Sequence, residues 1–305
     1  MARRRRRSTF KVIFALIIII VVVGGYIHWK NTPRPGEQAV PPAPAPSTTQ
    51  PAWCKAYEVI AAPGTWESSQ SDDPLNPTSH PNSFMLTVTR PLQQRLPANV
   101  EVWTLPYTAQ FKNINDRNQM SYNDSRTEGT NRLNQQLNYV HSQCPLTKFV
   151  LMGFSQGAVI VGDVVNQIGN NKGPIPADTV AGVALVADGR RIQGQGIAVG
   201  SIPTGVGAEV SLQTLSPVIQ FVVPGATMRG ARDGGFGSLN DKTYEICANN
   251  DNICDAPLGV TDAAARALDL VANNGIHAQY ATNPNVFPGS TTTQWLIDWV
   301  VNIAG

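Results

Sequence analysis

Short apolar runs alternate with segments of helical periodicity from Trp53 to the C-terminus. The apolar runs are five to eight residues long and several are rich in valine, which is typical of parallel strands buried on both faces. The predicted strands are residues 57–62, 100–105, 149–153, 180–187 and 218–223. The predicted helices are residues 82–95, 126–143, 157–169, 261–273 and 291–304. This alternation predicts a three-layer α/β/α sandwich with a mostly parallel sheet of about five strands.

The second predicted helix carries a local start signal. Ser125 stands three residues before Glu128, which is the spacing of a capping box, and an apolar helical pattern follows. We therefore expect this helix to begin immediately after Ser125.

The first fifty residues differ from the rest. The arginine run Arg3 to Arg7 precedes an apolar stretch from Val12 to Ile27. These sixteen residues would rise about 24 Å as a helix, close to the ~30 Å hydrocarbon core of a bilayer. We expect residues 1–30 to be an Arg-rich tail and a transmembrane signal-anchor with the N-terminus in the cytoplasm. The alternative is a cleaved signal peptide, after which the protein would be secreted.

Residues 31–52 are rich in proline, alanine and threonine and have no apolar periodicity. Such a segment favours extended conformations and acts as a semi-rigid spacer. It predicts a linker that holds a globular domain, residues 53–305, off the outer face of the membrane.

Charge argues against nucleic acid as a partner. The chain has 23 basic and 21 acidic residues, but eight of the basic and one of the acidic residues lie within the first fifty. The remainder therefore has 15 basic and 20 acidic residues, with no basic stripe to bind phosphates.

Four cysteines agree with export. None has the spacing of a metal site, so we expect disulfides on the outer side of a membrane and no zinc. Proximity along the chain favours one bridge between Cys247 and Cys254, which leaves Cys54 to pair with Cys144.

The strongest chemical signal is Gly153-Phe-Ser155-Gln-Gly157, a G-x-S-x-G pentad between an apolar strand and an apolar helix. In this context the glycines permit a sharp turn that exposes the serine hydroxyl above the sheet edge. The pattern predicts that Ser155 is a nucleophile. The alternative is a glycine-rich turn in which the serine has no catalytic role.

A nucleophilic serine needs a base, and the chain has four histidines. His28 lies in the predicted anchor, His80 in a polar loop before the serine, and His141 near the end of a helix that leads into a cysteine. His277 follows the serine, in the chain order that this kind of fold requires. Elimination and order therefore favour His277.

The acid that orients the base remains open from the residues alone. Asp251 lies inside the small Cys247–Cys254 ring, which would pre-order its carboxylate. Asp188 follows a predicted strand and is the best rival on topology. The residues favour Asp251 only mildly.

An oxyanion hole needs two donors. The Gln156 amide follows the nucleophile and supplies one. The loop after the first strand, with Thr65, is a candidate for the second, although a plain Pro-Gly turn explains that loop about equally well.

Several of these motifs together resemble the cutinase family of serine esterases, most closely its membrane-anchored members from mycolate-producing actinobacteria. The resemblance covers residues 53–305. The motifs are Cys54, Gly64-Thr-x-Glu67, Gly153-Phe-Ser-Gln-Gly157, Cys247-x₃-Asp251-x₂-Cys254, and His277 with Tyr280.

The resemblance implies a cutinase-like α/β-hydrolase fold and roles for single residues. It implies Ser155 as nucleophile, Asp251 rather than Asp188 as acid and His277 as base. It also implies Thr65 and Gln156 at the oxyanion hole, and the disulfides Cys54–Cys144 and Cys247–Cys254.

The predicted activity is hydrolysis of carboxylic esters of lipids through an acyl-enzyme, of the lipase, phospholipase A or thioesterase type, without a metal or organic cofactor. Three alternatives stay open: acyl transfer to a sugar or glycerol, removal of short acyl groups as in acetylxylan esterases, and a non-catalytic envelope-binding module. Apolar residues around Phe154, Ile276 and Phe287 could line a lipid groove, but ordinary packing explains them equally well.

Overall fold

A parallel sheet lies at the centre of the part of the chain that the structure describes. The computed structural model describes residues 50–113, 115–258 and 275–305. The strands are β1 (Tyr57–Ala62), β2 (Val100–Thr104), β3 (Lys148–Phe154), β4 (Val180–Val186), β5 (Ile197–Ala198) and β6 (Thr243–Ile246). Their order in the sheet is β2-β1-β3-β4-β6-β5, and each pair of neighbours is parallel. The described sheet is therefore one strand wider than predicted.

Helices lie on both sides of this sheet. They are α1 (Phe84–Arg95), α2 (Tyr122–Gln143), α3 (Gln156–Gly169), α4 (Ala208–Ser211), α5 (Ser216–Val222) and α6 (Thr292–Ala304). None of the helices among the described residues has both the length and the apolar character needed to cross a membrane. The predicted helix at 261–273, the predicted anchor at 1–30 and most of the predicted linker lie outside the described residues.

Strand β3 shows how the three layers are joined. Nearly all of its side chains are buried, as the continuous apolar run predicts. Val150 and Met152 belong to an apolar cluster with residues of α1 and α6. Phe149 and Leu151 point the other way, into a cluster with residues of α2 and α3. Successive side chains of a strand face opposite sides of the sheet, so the single apolar run of β3 packs against helices on both faces. The predicted α/β/α sandwich is confirmed.

The predicted strand at 218–223 is wrong, because most of this segment is helix α5. Ile219 and Val223 are four residues apart and are buried in a small apolar cluster, while Val218 and Phe221 are 62% and 92% exposed. This is the spacing of a helix with one buried face, and Pro217 suits its first turn. The additional strands of the sheet are β5 and β6 instead.

The predicted capping box at Ser125 is also wrong. Helix α2 begins four residues earlier, where the Ser121 hydroxyl accepts a hydrogen bond from the Asp124 amide. Ser125 lies within the helix, and its hydroxyl donates to the Thr108 carbonyl. The pair Ser125 and Glu128 serves the preceding loop, since Glu128 accepts a hydrogen bond from the Thr108 amide at 3.1 Å.

Candidate active site

Ser155 occupies a strained turn between β3 and α3. Its φ is +55°, a left-handed conformation that is uncommon for residues other than glycine. Gly157 makes the turn possible, because a Cβ there would lie 2.1 Å from the Ala62 carbonyl oxygen of the neighbouring strand. The Ser155 amide donates to the Val186 carbonyl of β4 at 2.9 Å, which fixes the serine above the carboxyl end of the sheet.

His277 lies on a short 3₁₀ turn and reaches both predicted partners. Its Nε2 is 2.9 Å from Ser155 Oγ, and its Nδ1 is 2.9 Å from Asp251 Oδ2. With the ring proton on Nδ1, the ring donates to the carboxylate and Nε2 is free to accept the serine proton. The structure thus brings together three side chains that are 122 and 26 residues apart in sequence.

Asp251 is fully buried in a ring that the disulfide Cys247–Cys254 closes. Its Oδ1 accepts a hydrogen bond from the Ile253 amide at 3.0 Å, and its Oδ2 accepts one from Tyr280 Oη at 2.8 Å. The carboxylate is therefore held from several directions before it meets the imidazole. The other bridge joins Cys54 to Cys144, as predicted.

Asp188, the other candidate for the catalytic acid, binds a different partner. It is fully buried after β4 and forms an ion pair with Arg232 at 2.5 Å. Its Oδ1 also accepts from the Arg232 guanidinium at 3.0 Å. This bidentate partner occupies the carboxylate.

Thr65 and Gln156 both lie in the wall of the cavity that contains Ser155. The Thr65 loop is held from two sides. Tyr107 Oη donates to the Pro63 carbonyl at 2.7 Å, and the Gly64 amide donates to Glu67 Oε2 at 3.1 Å. A rigid loop of this kind suits a donor that must meet a developing oxyanion.

Glu67 joins this loop to helix α1. Its Oε1 accepts from the Phe84 amide at 2.8 Å, and its Oε2 accepts from the Ser83 hydroxyl at 3.2 Å. Burial raises the pKa of this carboxyl above its usual value, while those hydrogen bonds and the nearby His277 oppose the rise. Sequence analysis assigned no role to Glu67, although its place in the G-T-x-E motif was the available signal.

The cavity beside Ser155 has a volume of about 220 Å³ and is open to solvent. Much of its wall is apolar, from Phe111, Phe154, Val159, Ala208, Met228 and Ile253. Phe154 also stacks on the His277 ring, with centroids 5.0 Å apart. Ile276 and Phe287 instead pack against the apolar core on the α1 and α6 side of the sheet.

A buried carboxylate, Glu209, forms part of the cavity wall. Its Oε1 accepts from Tyr122 Oη at 2.7 Å, and its Oε2 accepts from Arg229 Nε at 2.9 Å. Arg229 in turn pairs with Asp163, which also pairs with Arg190 and Arg232. Sequence analysis missed this network, because its members come from five separate segments with no common motif.

The geometry at Ser155 matches the requirements of nucleophilic catalysis. A hydroxyl, an imidazole and a carboxylate are connected by hydrogen bonds, and the amide at the start of a helix lies next to the hydroxyl. An ester carbonyl in the cavity would meet the nucleophile and the candidate oxyanion donors together.

Comparison with known proteins agrees with this geometry. A family model described as cutinase matches residues 53–282. The chain belongs to the cutinase family.

Two curated proteins of this kind are similar in sequence. A carboxylesterase Culp6 homolog from Corynebacterium glutamicum is 61% identical over 255 residues, which cover 83% of this chain and 82% of that protein. An acetylxylan esterase from Hypocrea jecorina is 36% identical over 95 residues, which cover 28% of this chain and 32% of that protein.

Solved structures support the fold of this cutinase-family chain. The catalytic core domain of acetyl xylan esterase from Trichoderma reesei superposes with a TM-score of 0.51 at 19% identity, over 82% of this chain and 99% of that one. An iodinated complex of acetyl xylan esterase gives 0.53 at 18% identity, over 83% of this chain and 100% of that one. The cutinase-like α/β-hydrolase fold is thereby confirmed, and the chain is a carboxylic ester hydrolase of this family.

Proposed function

We propose that this chain hydrolyses carboxylic esters of lipids at the outer face of a cell membrane, through an acyl-enzyme on Ser155. The observation that carries the proposal is the continuous pair of 2.9 Å contacts from Ser155 Oγ through His277 to Asp251. Such an arrangement activates a serine for attack on an acyl carbon.

The proposed reaction has two halves. Ser155 Oγ attacks the ester carbonyl carbon while His277 Nε2 takes its proton, and the Gln156 amide and Thr65 stabilise the oxyanion. The imidazolium then protonates the departing alcohol, which leaves the acyl group on Ser155. Water attacks that acyl group with His277 again as base, and the acid and Ser155 are released. Asp251 stabilises the imidazolium in both halves.

Lipid as the substrate class is supported by the cavity. Its wall places Phe154, Met228 and Ile253 around the nucleophile, and such side chains favour an apolar acyl chain through the area that they remove from water. The substrates of lipases, phospholipases A and thioesterases all carry an acyl chain on a carbonyl carbon that the same serine can attack. These three activities therefore form one proposal.

The location rests on the sequence of the N-terminus and on the disulfides. The arginine run and the apolar stretch at 12–27 suit a single-pass anchor with its N-terminus in the cytoplasm. Disulfides persist in oxidising environments, and the chain has two. We therefore place the catalytic domain outside the membrane, behind the spacer at residues 31–52.

The chemistry is tested by changing Ser155→Ala in the full chain. Ester turnover should fall at least about a thousandfold, because the nucleophile is lost, while the melting temperature stays within a few degrees. Ser142→Ala, on the exposed surface at the end of α2, is the matched control and should keep full activity. A fluorophosphonate probe should label the wild type and the control but not Ser155→Ala. Turnover retained by Ser155→Ala would refute the assignment.

The substrate class is tested with a chain-length series. The kcat/KM for esters from acetyl to palmitoyl should rise with acyl length, by up to about fourfold per methylene that the cavity covers. Thioesters and a phospholipid with the preferred acyl chain should also be cleaved. A maximum at acetyl would contradict the lipid proposal and favour the deacetylation that the name of the acetylxylan esterase relative suggests.

The location is tested in intact cells. A protease added outside should remove the domain from the full chain, and the anchor should remain in the membrane fraction. A mature N-terminus found within residues 20–52 would show cleavage and contradict the anchor.

A further inference from the structure

A second cavity lies on the α2 and α3 side of the sheet, and catalysis as proposed does not use it. We call it the polar cleft; its volume is about 460 Å³. It is lined by Thr130, Asn134, Asn138, Asp163, Val164, Asn166, Gln167, Lys172, Gly173, Pro174, Arg190 and Arg229. Only two of these, Val164 and Pro174, have purely apolar side chains.

Helix α2 presents a polar stripe to the cleft. Thr130, Asn134 and Asn138 are four residues apart, so they lie on one face of the helix. The adjacent positions Leu133 and Leu137 are fully buried in the core. A hydroxyl and two amides in a row give a surface that can hydrogen-bond to a ligand with several hydroxyl groups.

One member of the stripe has an unmet hydrogen-bonding requirement. Asn134 Oδ1 is buried, and among the described residues it has no hydrogen-bond partner. A buried polar atom without a partner destabilises the fold. A ligand hydroxyl can donate and accept, so it would satisfy this amide in either orientation of its oxygen and nitrogen.

The cleft is also cationic. Lys172, Arg190 and Arg229 line it, and Asp163 is the one carboxylate among the lining residues. Burial alone would raise the pKa of Asp163, but the surrounding arginines outweigh this effect and lower the pKa to about 2. Asp163 is therefore ionised, and the lining residues carry three positive charges and one negative charge. Ion pairs extend the network to two more cations and two more anions, so an excess of two positive charges remains. These further members are Arg126 and Arg232 on one side and Asp188 and Glu209 on the other.

The polar cleft is separate from the cavity at Ser155. The two share no lining residue, and Arg229 stands between them. Its guanidinium pairs with Asp163 in the cleft and with Glu209 in the wall of the catalytic cavity.

We propose that the polar cleft binds an anionic, polyhydroxylated group, namely a phosphorylated sugar or polyol. The excess positive charge attracts the phosphate, with exposed Lys172 as the cation that no carboxylate holds among the described ion pairs. The stripe on α2 binds the hydroxyls. The group can come from a soluble sugar phosphate or from the headgroup of a lipid, and both present the same chemistry.

The test measures binding to the full-length protein by calorimetry, with Ser155→Ala as the background so that no ester is turned over. Glucose 6-phosphate should bind, and its affinity should fall as salt rises, because the attraction is screened. Glucose and inorganic phosphate alone should each bind at least tenfold more weakly. Lys172→Ala and Asn134→Ala should each weaken the binding of glucose 6-phosphate about five- to tenfold, and neither should lower the melting temperature. Lys242→Ala removes an exposed lysine outside the cleft and should have no effect.

Three results would overturn the proposal: no binding of glucose 6-phosphate, equal binding of phosphate alone, or equal effects of Lys172→Ala and Lys242→Ala. Vesicles that contain phosphatidylinositol assign the source. If the vesicles displace glucose 6-phosphate, the ligand of the polar cleft is a lipid headgroup. If they do not, the ligand is a soluble sugar phosphate. None of these readouts uses ester turnover, so the site can fail or stand independently of the proposed function.

Discussion

Tyr280 Oη donates a hydrogen bond to the same oxygen of Asp251 that contacts His277 Nδ1. The Tyr280 hydroxyl also accepts from the Ala248 amide at 2.9 Å, and its ring is buried. Burial, followed by the charge of Asp251, raises the pKa of Tyr280 well above 10, so the phenol keeps its proton at any working pH. Tyr280 is therefore a positioning residue that fixes the carboxylate without touching the substrate.

Tyr280→Phe should lower kcat by about tenfold with little change in KM. A hydrogen bond to a charged group contributes about 1.5–3 kcal/mol. Its loss would leave Asp251 less well oriented toward His277, which affects kcat, and would not affect substrate binding, which affects KM. The measurement is steady-state kinetics on a soluble ester over a range of pH. Tyr139→Phe changes an exposed tyrosine on α2 and is the matched control. If Tyr280→Phe kept the wild-type kcat with an unaltered pH profile, the positioning role would be wrong.

Glu67 holds the Thr65 loop from the side of helix α1. Its carboxylate accepts a hydrogen bond from the Gly64 amide in the loop and one from the Phe84 amide at the start of the helix. Glu67→Gln should reduce kcat, because the side-chain amide has one oxygen where the carboxylate has two, and its NH2 group cannot accept from the loop or the helix. Steady-state kinetics on a soluble ester measures the loss.

Ser83→Ala is the informative control for Glu67. It removes one hydrogen bond to the carboxylate and leaves those from Gly64 and Phe84 in place. It should lower kcat by a few-fold at most. A Glu67→Gln variant that kept the wild-type kcat would show that the loop does not depend on this carboxylate.

Local pattern was enough for strands β1 to β4 and for the turn at the serine. The β3 run and the G-x-S-x-G pentad are contiguous, so the turn at Ser155 could be predicted from neighbours in sequence. The strand predicted at 218–223 was wrong because a short apolar segment is compatible with either a strand or a helix. The choice depends on tertiary partners. Here Ile219 and Val223 pack into a small apolar cluster on one face of a helix.

The acid could not be chosen from the chain alone. Asp188 follows an apolar strand and Asp251 lies inside the disulfide ring, so each is a candidate. What separates them is tertiary: Arg232, 44 residues away, engages the first, whereas His277 reaches the second. The resemblance to the cutinase family favoured Asp251 before any geometry was considered. Tyr280 and Glu67 were visible as motif members, but their roles depend on hydrogen bonds to residues up to 32 positions away.

Gly157→Ala should abolish activity and lower the melting temperature by several degrees. The new Cβ would lie 2.1 Å from the Ala62 carbonyl oxygen and 2.5 Å from that of Pro63, and backbone atoms of a central strand cannot move aside cheaply. Overpacking of this kind destabilises by about 1–3 kcal/mol or more, and it would also displace Ser155. Gly275→Ala is the control, since its Cβ meets nothing within 4 Å. Wild-type activity and melting in Gly157→Ala would refute the close approach.

Glu58 makes the stability of the fold depend on pH. It is 1% exposed on β1, beside Glu101 of β2 in the sheet register, and one of its oxygens has no hydrogen-bond partner among the described residues. Burial raises its pKa to about 8, and the hydrogen bond from Gln136 lowers it only in part. Between its usual value of 4.5 and about 8, the folded carboxyl holds a proton that the unfolded one has lost. Unfolding then releases a proton, so the free energy of unfolding falls as pH rises, by ~1.4 kcal/mol per unit for this group.

Glu58→Gln should remove this dependence, because the amide is neutral at every pH and still accepts from Gln136. Its melting temperature should be close to that of the wild type at pH 5 and higher by several degrees at pH 8. Glu101→Gln takes away only the neighbouring charge, which is the smallest of the causes, so it should give a much weaker gain. Thermal melts of the three proteins at both pH values decide the matter. A Glu58→Gln variant that lost stability equally at pH 5 and pH 8 would mean that Glu58 is ionised in the folded chain and that its charge stabilises the sheet.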